Sequence, residues 1–330
     1  MSIHISAFFV KTRILYGCKE RKRGMLRDYD IHTDLALEDK ERFDTEQVEI
    51  PGVSVEEICI EEKEMQITTV KILSENGAKT MRKPVGTYIT IEAPNMAAPD
   101  RSYREELAKE LAHQLEEMLL EMPETYTVLV VGLGNREVTP DSLGPRVVDS
   151  LYVTRHIVKE YGKYAESETG MHMVSAIAPG VMAQTGMETY EIIKGIAEEV
   201  HPDLVIAIDA LAARNTKRLN RTIQIADTGI HPGSGVGNHR KGITKETIGV
   251  PVIAIGVPTV VDAATIVRDT ITNLMQSVRE ISEETVGEQM IAPHLYGMFV
   301  TPKDIDETIT FLGELISDAL NYLYGSAGRE

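Results

Sequence analysis

The chain of 330 residues has no tryptophan, five phenylalanines and two cysteines, and it lacks any long apolar run. Cys18 and Cys59 are too few for a disulfide framework or a four-thiolate metal site, which indicates a reducing compartment. No segment approaches the roughly 20 apolar residues that cross a bilayer, and the run at residues 5–10 is too short for the core of a signal peptide. We therefore expect a cytoplasmic protein with no membrane partner.

Positive charge is also scarce, with 34 Lys and Arg against 51 Asp and Glu and a formal net charge of -17. Such a surface repels nucleic acid and anionic membranes, so neither is expected as a direct partner. The first 34 residues are the exception, because they carry seven Lys and Arg against four Asp and Glu and leave the remainder at -20. On composition alone, this segment is typical of a disordered basic tail.

Strand-like and helix-like segments alternate from residue 128 onward. Apolar runs that are typical of strands covered on both faces occupy 128–131, 204–208 and 252–257. Helical periodicity separates them, and this alternation predicts parallel strands with right-handed crossovers. Period-two alternation between residues 46 and 93 predicts further strands. We therefore predict an α/β three-layer sandwich around a mostly parallel twisted sheet, with an added β-rich region at about 46–98.

Several local signals predict boundaries within this fold. Ser102 and Glu105 have the spacing of a capping box before a helix that Pro123 ends. Pro145 suits the first position of a helix, so a second helix is expected to begin near it. The residues at 75–77 predict a turn between strands.

Two aspartates follow buried strands of the predicted sheet. Asp141 lies in the loop after the strand at 128–131, and Asp209 directly follows the strand at 204–208. Ligands of open α/β sheets bind at the carboxyl ends of the strands, so both carboxylates are expected at one edge. Each also has a purely structural interpretation, as a helix cap or as an acceptor of backbone N–H groups. Their coincidence at one edge favours a functional pair.

Two chemistries are open to such a pair. Carboxylates that share a proton divide the roles of base and acid, so that one activates water and the other protonates an amide leaving group. Carboxylates that lie farther apart can instead hold a divalent metal with a third ligand, for which His231 and His239 are candidates. Asp262 follows the third buried strand and is a further acidic candidate.

Cofactor motifs fail on inspection. Gly132 and Gly134 begin a dinucleotide-binding pattern, but Glu137 stands where the third glycine is needed. The glycine-rich stretch at 237–242 has the gap of a phosphate loop, but Ile243 occupies the position of its lysine. No cofactor is therefore predicted.

Four blocks of the sequence stand out, at residues 33–38, 132–144, 207–211 and 227–238. Together they resemble the spore germination protease family of Bacillus and Clostridium relatives, and the match runs from about Met25 to the C-terminus. The second block is also similar to that of hydrogenase maturation peptidases, which share the fold but bind a metal.

The resemblance implies an atypical aspartic-type endopeptidase of the forespore and spore core, made as a zymogen and assembled as a homotetramer. Its substrates would be the small acid-soluble proteins that coat spore DNA, which it would degrade at germination. The family's two essential aspartates correspond to Asp141 and Asp209. We regard Asn135, Asp262 and His231 as candidate supporting residues. The resemblance implies no cofactor.

The resemblance also implies self-processing. Family substrates are cut within Thr-Glu-(Phe/Ile)-Ala-Ser-Glu, before the apolar residue, and residues 33–38 read Thr-Asp-Leu-Ala-Leu-Glu. We therefore predict self-cleavage between Asp34 and Leu35, at a reduced rate because Leu37 replaces the serine. Residues 1–34 would be the propeptide and residues 35–330 a single peptidase domain.

Three alternatives stay open at this point. One is a metal-dependent, maturation-type peptidase of the same fold, and another is a non-catalytic scaffold that binds spore proteins. The third concerns the start, because the family does not need the residues before Met25, which makes Met25 an alternative first residue.

Overall fold

The computed structural model describes residues 33–45, 50–98, 100–162, 172–233, 240–278, 295 and 297–325. Most of the predicted propeptide and the candidate ligand His239 lie outside these residues. Within them, the core is one mixed sheet with helices on its faces.

All strands of the described residues belong to that sheet. They are β1 Val53–Ile60, β2 Met65–Ile72, β3 Gly86–Glu92, β4 Thr127–Gly132, β5 Met173–Ile177, β6 Leu204–Ala213, β7 Thr222–Ala226, β8 Val252–Asp262 and β9 Phe299–Val300. Their order across the sheet is β1-β2-β3-β7-β8-β6-β4-β5, and β9 pairs with the end of β8. The pairs β8/β6, β6/β4 and β4/β5 are parallel. The pairs β1/β2, β2/β3, β3/β7 and β7/β8 are antiparallel.

The described α-helices connect and cover these strands. They are α1 Ala36–Thr45, α2 Glu75–Met81, α3 Arg101–Met118, α4 Leu143–Ser150, α5 Arg155–Tyr161, α6 Met182–Thr185, α7 Thr189–Val200, α8 Lys245–Ile248, α9 Ala263–Val278 and α10 Ile305–Tyr324. In the part of the chain that the structure describes, no helix has the length and apolarity that a membrane span requires.

Strand β4 shows how the layers form. Its side chains alternate, so that Val128 and Val130 belong to the core on one face, with α3, α4 and α10. Leu129 and Val131 belong to the core on the other face, with α7 and α8. Because both faces are covered by helices, the strand is apolar throughout, and the predicted three-layer α/β class is confirmed.

The antiparallel half of the sheet carries a smaller core. Residues of β2, β3 and β7 pack there against Ala36 of α1 and Met81 of α2. Helix α2 replaces the turn predicted at 75–77, because the Ser74 hydroxyl accepts the N–H of Gly77 and so caps a helix. The turn prediction was therefore wrong.

Both predicted boundaries of α3 were wrong. Asp100, and not Ser102, caps α3, since its carboxylate accepts the N–H groups of Ser102 and Tyr103. Helix α3 ends at Met118, before Pro123. Helix α4 begins at Leu143, so that Pro145 is its third residue, where a missing N–H is still harmless.

Candidate active site

A glycine turn after β4 positions Asp141. Gly134 has φ +109°, and a Cβ there would lie 1.9 Å from the carbonyl oxygen of Asp141, so only glycine fits. The chain then forms a short 3-10 helix, Thr139–Asp141. The backbone N–H of Asn135 donates to Oδ2 of Asp141 over 2.8 Å. The turn therefore holds both the backbone and the carboxylate of Asp141 in place.

Asp209 lies inside β6, which continues to Ala213, so the prediction that it ends its strand was wrong. The neighbouring strand β4 ends at Gly132, which pairs with Ile208. Asp209 therefore projects just beyond the end of β4. Its side chain is buried at 6% exposure, and one carboxylate oxygen accepts the N–H of Ala210 over 2.9 Å.

Both aspartates line one cavity of about 370 Å³, together with Asp34. Burial raises the pKa of Asp141, against the opposing effects of the Asn135 N–H and Arg240. Burial raises the pKa of Asp209 well above its usual range, and the negative charges of Asp141 and Asp34 raise it further. Both shifts disfavour the doubly ionised pair.

The segment around Asp34 lies against the edge of β6. The Asp34 N–H donates to the carbonyl of Ala212 over 3.1 Å, and the Ala212 N–H donates to the Asp34 carboxylate over 2.9 Å. Leu35 is fully buried among Leu211, Ala213 and Val261. This substrate-like segment, residues 33–38, is therefore docked beside the cavity by backbone hydrogen bonds and a buried side chain.

A charge cluster around the buried residues Arg218 and Glu38 anchors the helix that follows this segment. The Glu38 carboxylate accepts the N–H groups of Arg214 and Asn215 over 2.7 and 2.9 Å and the hydroxyl of Thr33. The guanidinium of Arg218 contacts Glu38, Glu41 and Glu92 at 3.5, 2.6 and 2.9 Å. These contacts fix α1 and, through it, the Asp34–Leu35 bond.

The other candidates from the sequence lie at different places. Asn135 holds Asp141 through its backbone, and its side-chain oxygen accepts from Gln184. His231 is exposed and lines a smaller neighbouring cavity of about 80 Å³. Asp262 accepts the N–H of Thr265 at the start of α9, which is a helix-capping role. Within the described ranges, no group of three His, Cys, Asp or Glu residues is arranged to hold a metal ion.

Comparison with known proteins identifies the family. The family model described as "Germination protease" matches residues 31–294. The chain belongs to the germination protease family. It is 50% identical to the germination protease of Caldanaerobacter subterraneus subsp. tengcongensis over 311 residues, which cover 88% of this chain and 93% of that one. Membership makes the chain a protease of spore germination.

More distant matches complete the comparison. The germination protease of Priestia megaterium is 39% identical over 352 residues, covering 90% of this chain and 94% of that one. Among solved structures, a [NiFe] hydrogenase maturation protease, HycI of Thermococcus kodakarensis, matches 63% of this chain and 99% of that one, with 20% identity and a TM-score of 0.33.

Sequence reasoning missed the residues that hold the substrate-like segment. Lys83, Gln224 and Arg218 all contact the segment or α1. Gln224 had one signal, a polar residue between Ile223 and Ile225 in a short apolar strand. Lys83 and Arg218 had none, because each is brought to the site by long-range folding.

The buried Asp209 carboxyl has a testable effect on stability. Its raised pKa means that the folded chain binds more protons than the unfolded one, so stability falls as pH rises from the ordinary aspartate pKa, about 3.9, through the folded value. Asparagine carries no charge at any pH. We therefore expect Asp209→Asn to increase the free energy of unfolding at pH 7, with a gain that vanishes below about pH 3.9.

Denaturant unfolding at a series of pH values measures this difference. Both chains should carry Asp141→Asn, which keeps peptidase activity from altering the sample; desolvation, the largest cause of the Asp209 shift, is retained. A difference that stays constant across the series would contradict the assigned pKa direction.

Proposed function

We propose that this chain is a self-processing, aspartic-type endopeptidase whose substrates at germination are the small acid-soluble proteins of the spore. It would be made as a zymogen and act as a homotetramer in the spore core. The observation that carries the proposal is the position of Asp34, whose peptide bond to Leu35 lies at the cavity that Asp141 and Asp209 line.

The aspartates divide the chemistry according to their surroundings. Asp209 is the more deeply buried and has the more strongly raised pKa, so it holds the proton of the pair. Asp141 is ionised and takes a proton from a water molecule, whose oxygen adds to the carbonyl carbon of Asp34. Asp209 then gives its proton to the nitrogen of Leu35 as the C–N bond breaks. The products are the carboxylate of Asp34 and the amine of Leu35.

This chemistry gives the basic N-terminal segment a role. Before cleavage, Asp34 lines the cavity and the Leu35 side chain is buried beside it, so this segment would exclude another protein from the aspartates. Cleavage creates a charged amine at the buried Leu35 and a second carboxylate at Asp34 beside two further carboxyl groups. Burying new charges is unfavourable, which favours departure of the cut ends and entry of a substrate with the same motif.

Digestion of a purified small acid-soluble spore protein by the processed chain, with and without chelator, tests the proposal against its alternatives. We expect cleavage within the Thr-Glu-(Phe/Ile)-Ala-Ser-Glu motif at the same rate with chelator. Loss of cleavage with chelator would favour the metal-dependent peptidase. Binding without cleavage by the wild-type chain would favour the scaffold, which membership of a protease family already disfavours.

Self-cleavage should depend on pH in a predictable direction. The rate is expected to rise as pH falls from 8 toward the raised pKa of Asp209, because the singly protonated pair becomes more populated, and to fall when Asp141 is also protonated. Asp34→Asn removes a negative charge that helps to raise the pKa of Asp209, so the rise should move to lower pH.

First-order rates from intact-mass time courses between pH 4 and 8 measure both profiles. Asparagine at position 34 keeps an acceptor for the Ala212 N–H, so docking of the segment is retained. A cleavage rate that does not change with pH would contradict the proton-sharing pair. A pH profile that Asp34→Asn does not shift would also contradict it.

A further inference from the structure

The carbonyl oxygen of Asp34 accepts two side-chain hydrogen bonds from outside the aspartate pair. The Lys83 ammonium donates to it over 2.9 Å, and the Gln224 amide donates to it over 3.0 Å. This oxygen belongs to the peptide bond that the proposed function identifies as the one cut. Donors at 2.7–3.1 Å from such an oxygen have the spacing of an oxyanion hole.

Register across the sheet explains how Gln224 reaches this point. Gly256 of β8 pairs with Asp209 on one side and with Gln224 on the other. Paired residues project from the same face of a sheet, so Asp209 and Gln224 flank a position that has no side chain. Gly256 and Gln224 line the small cavity beside Asp34, and Asp209 lines the larger one. The peptide therefore lies between an acidic side and an amide side.

Gln224 also fixes the orientation of this peptide. Its side-chain oxygen accepts the N–H of Ala36 over 2.7 Å while its nitrogen donates to the carbonyl of Asp34. One amide thus binds backbone groups on both sides of Leu35. Gln224 is itself buried at 8% exposure, so little water competes for these bonds.

Lys83 supplies the positive charge. Helix α2 ends at a left-handed residue, Arg82 with φ 53°, and this turn directs the chain toward the site. The Lys83 ammonium also contacts the carbonyl of Thr33 at 3.3 Å and the carboxylate of Asp39 at 3.9 Å. Its side chain is only 17% exposed, so its charge acts on the carbonyl with little screening.

We propose that Lys83 and Gln224 form the oxyanion hole of this protease. The inference rests on the proposed function, because it requires cleavage of the Asp34–Leu35 bond. When the water oxygen adds to the carbonyl carbon, the π electrons move onto the carbonyl oxygen, and Lys83 and Gln224 stabilise that negative charge. The electrons return as the bond to the Leu35 nitrogen breaks. When the chain cleaves another protein, the same two side chains would donate to the carbonyl oxygen of the scissile peptide bond.

First-order self-cleavage of the full chain tests this assignment in two variants, Lys83→Met and Gln224→Leu. Loss of one oxyanion donor typically costs about 10²–10³ in rate, and that reduction is expected for each. The matched controls are Lys79→Met, on the exposed face of α2, and Gln66→Leu, at an exposed position of β2. Both controls should cleave at the wild-type rate.

A second readout separates stabilisation of the oxyanion from mere docking. In an Asp209→Asn background, which keeps the bond intact, hydrogen exchange of the amides of Asp34 and Ala212 reports whether the segment stays in place, because their hydrogen bonds involve neither Lys83 nor Gln224. Protection close to that of the parent, combined with slow cleavage in the active background, supports the oxyanion hole. Slow cleavage with lost protection would overturn it in favour of a structural clamp.

The remaining outcomes distinguish this inference from the proposed function. Wild-type rates in Lys83→Met and Gln224→Leu, beside a wild-type chain that cleaves at Asp34–Leu35, would overturn the oxyanion hole alone. A wild-type chain that never cuts this bond would overturn the proposed self-cleavage and the oxyanion hole with it.

Discussion

Asp141→Asn and Asp209→Asn should each slow self-cleavage by about 10²–10⁴-fold, the range that general acid or base catalysis supplies. Asparagine has nearly the shape of aspartate, and at position 141 it retains an oxygen for the Asn135 N–H. It can neither take a proton from water nor give one to the leaving nitrogen. The loss should therefore appear in the rate constant for cleavage while the segment at 33–38 stays docked.

Asp203→Asn is the matched control. Asp203 precedes β6, at the opposite edge of the sheet, where its carboxylate accepts the N–H and the hydroxyl of Thr127. The same substitution there changes the net charge equally but leaves the cavity intact. Cleavage of Asp141→Asn or Asp209→Asn at the rate of Asp203→Asn would rule out the pair as the acid and base.

The second large effect is expected from Arg218→Met. Arg218 is buried and contacts Glu38, Glu41 and Glu92, and burial of a carboxylate is tolerated only when it is paired. Removing one partner of a buried ion pair typically costs about 3–5 kcal/mol, and the partial exposure of Glu41 and Glu92 places the cost at the lower end, roughly a 10²-fold change in docking of α1. Self-cleavage should fall with the docked population.

Hydrogen exchange of α1 amides and the self-cleavage rate together measure this effect. Lys217→Met, at the exposed neighbouring position, is the control and should match the wild type. Glu38→Gln gives a milder second test, because Arg218 keeps Glu41 and Glu92 as partners. Unchanged exchange of α1 in Arg218→Met would contradict the anchoring role.

The sequence predicted the sheet well where burial is strong and local. Strands β4 and β6 are recognisable as apolar runs because both of their faces are covered. Their alternation with helices implies parallel pairing. The turn that carries Asp141 was also predictable, because its backbone at position 134 has a positive φ that favours glycine. The sequence also identified Asp209 from its position after a buried apolar run, but it placed the end of β6 at that residue, whereas the strand continues to Ala213.

Helix boundaries were predicted wrongly where the sequence offered more than one capping residue or turn signal. Ser102 and Glu105 fitted a capping box, yet Asp100 two residues earlier accepts the N–H groups at the start of α3. Each side chain can cap a helix that starts directly after it, and only the path of the chain decides which of the two does so. The same competition turned the expected loop at 75–77 into a helix capped by Ser74.

The residues around the substrate-like segment could not be predicted from the sequence. Lys83 lies 49 residues from Asp34 along the chain, and Gln224 lies 190 residues from it. A lysine after a helix and a glutamine in a strand are ordinary in isolation. Their relation to the carbonyl of Asp34 arises only when β7, β8 and β6 pair side by side.

The intact mass and the first residue of the purified full chain, after incubation at mildly acidic pH, test the central claim most directly. Self-processing by the aspartate pair predicts loss of residues 1–34 and a new chain that begins at Leu35, in the wild type and not in Asp209→Asn. A chain that keeps its full mass, or that is cut elsewhere while the Asp34–Leu35 bond stays intact, would contradict it.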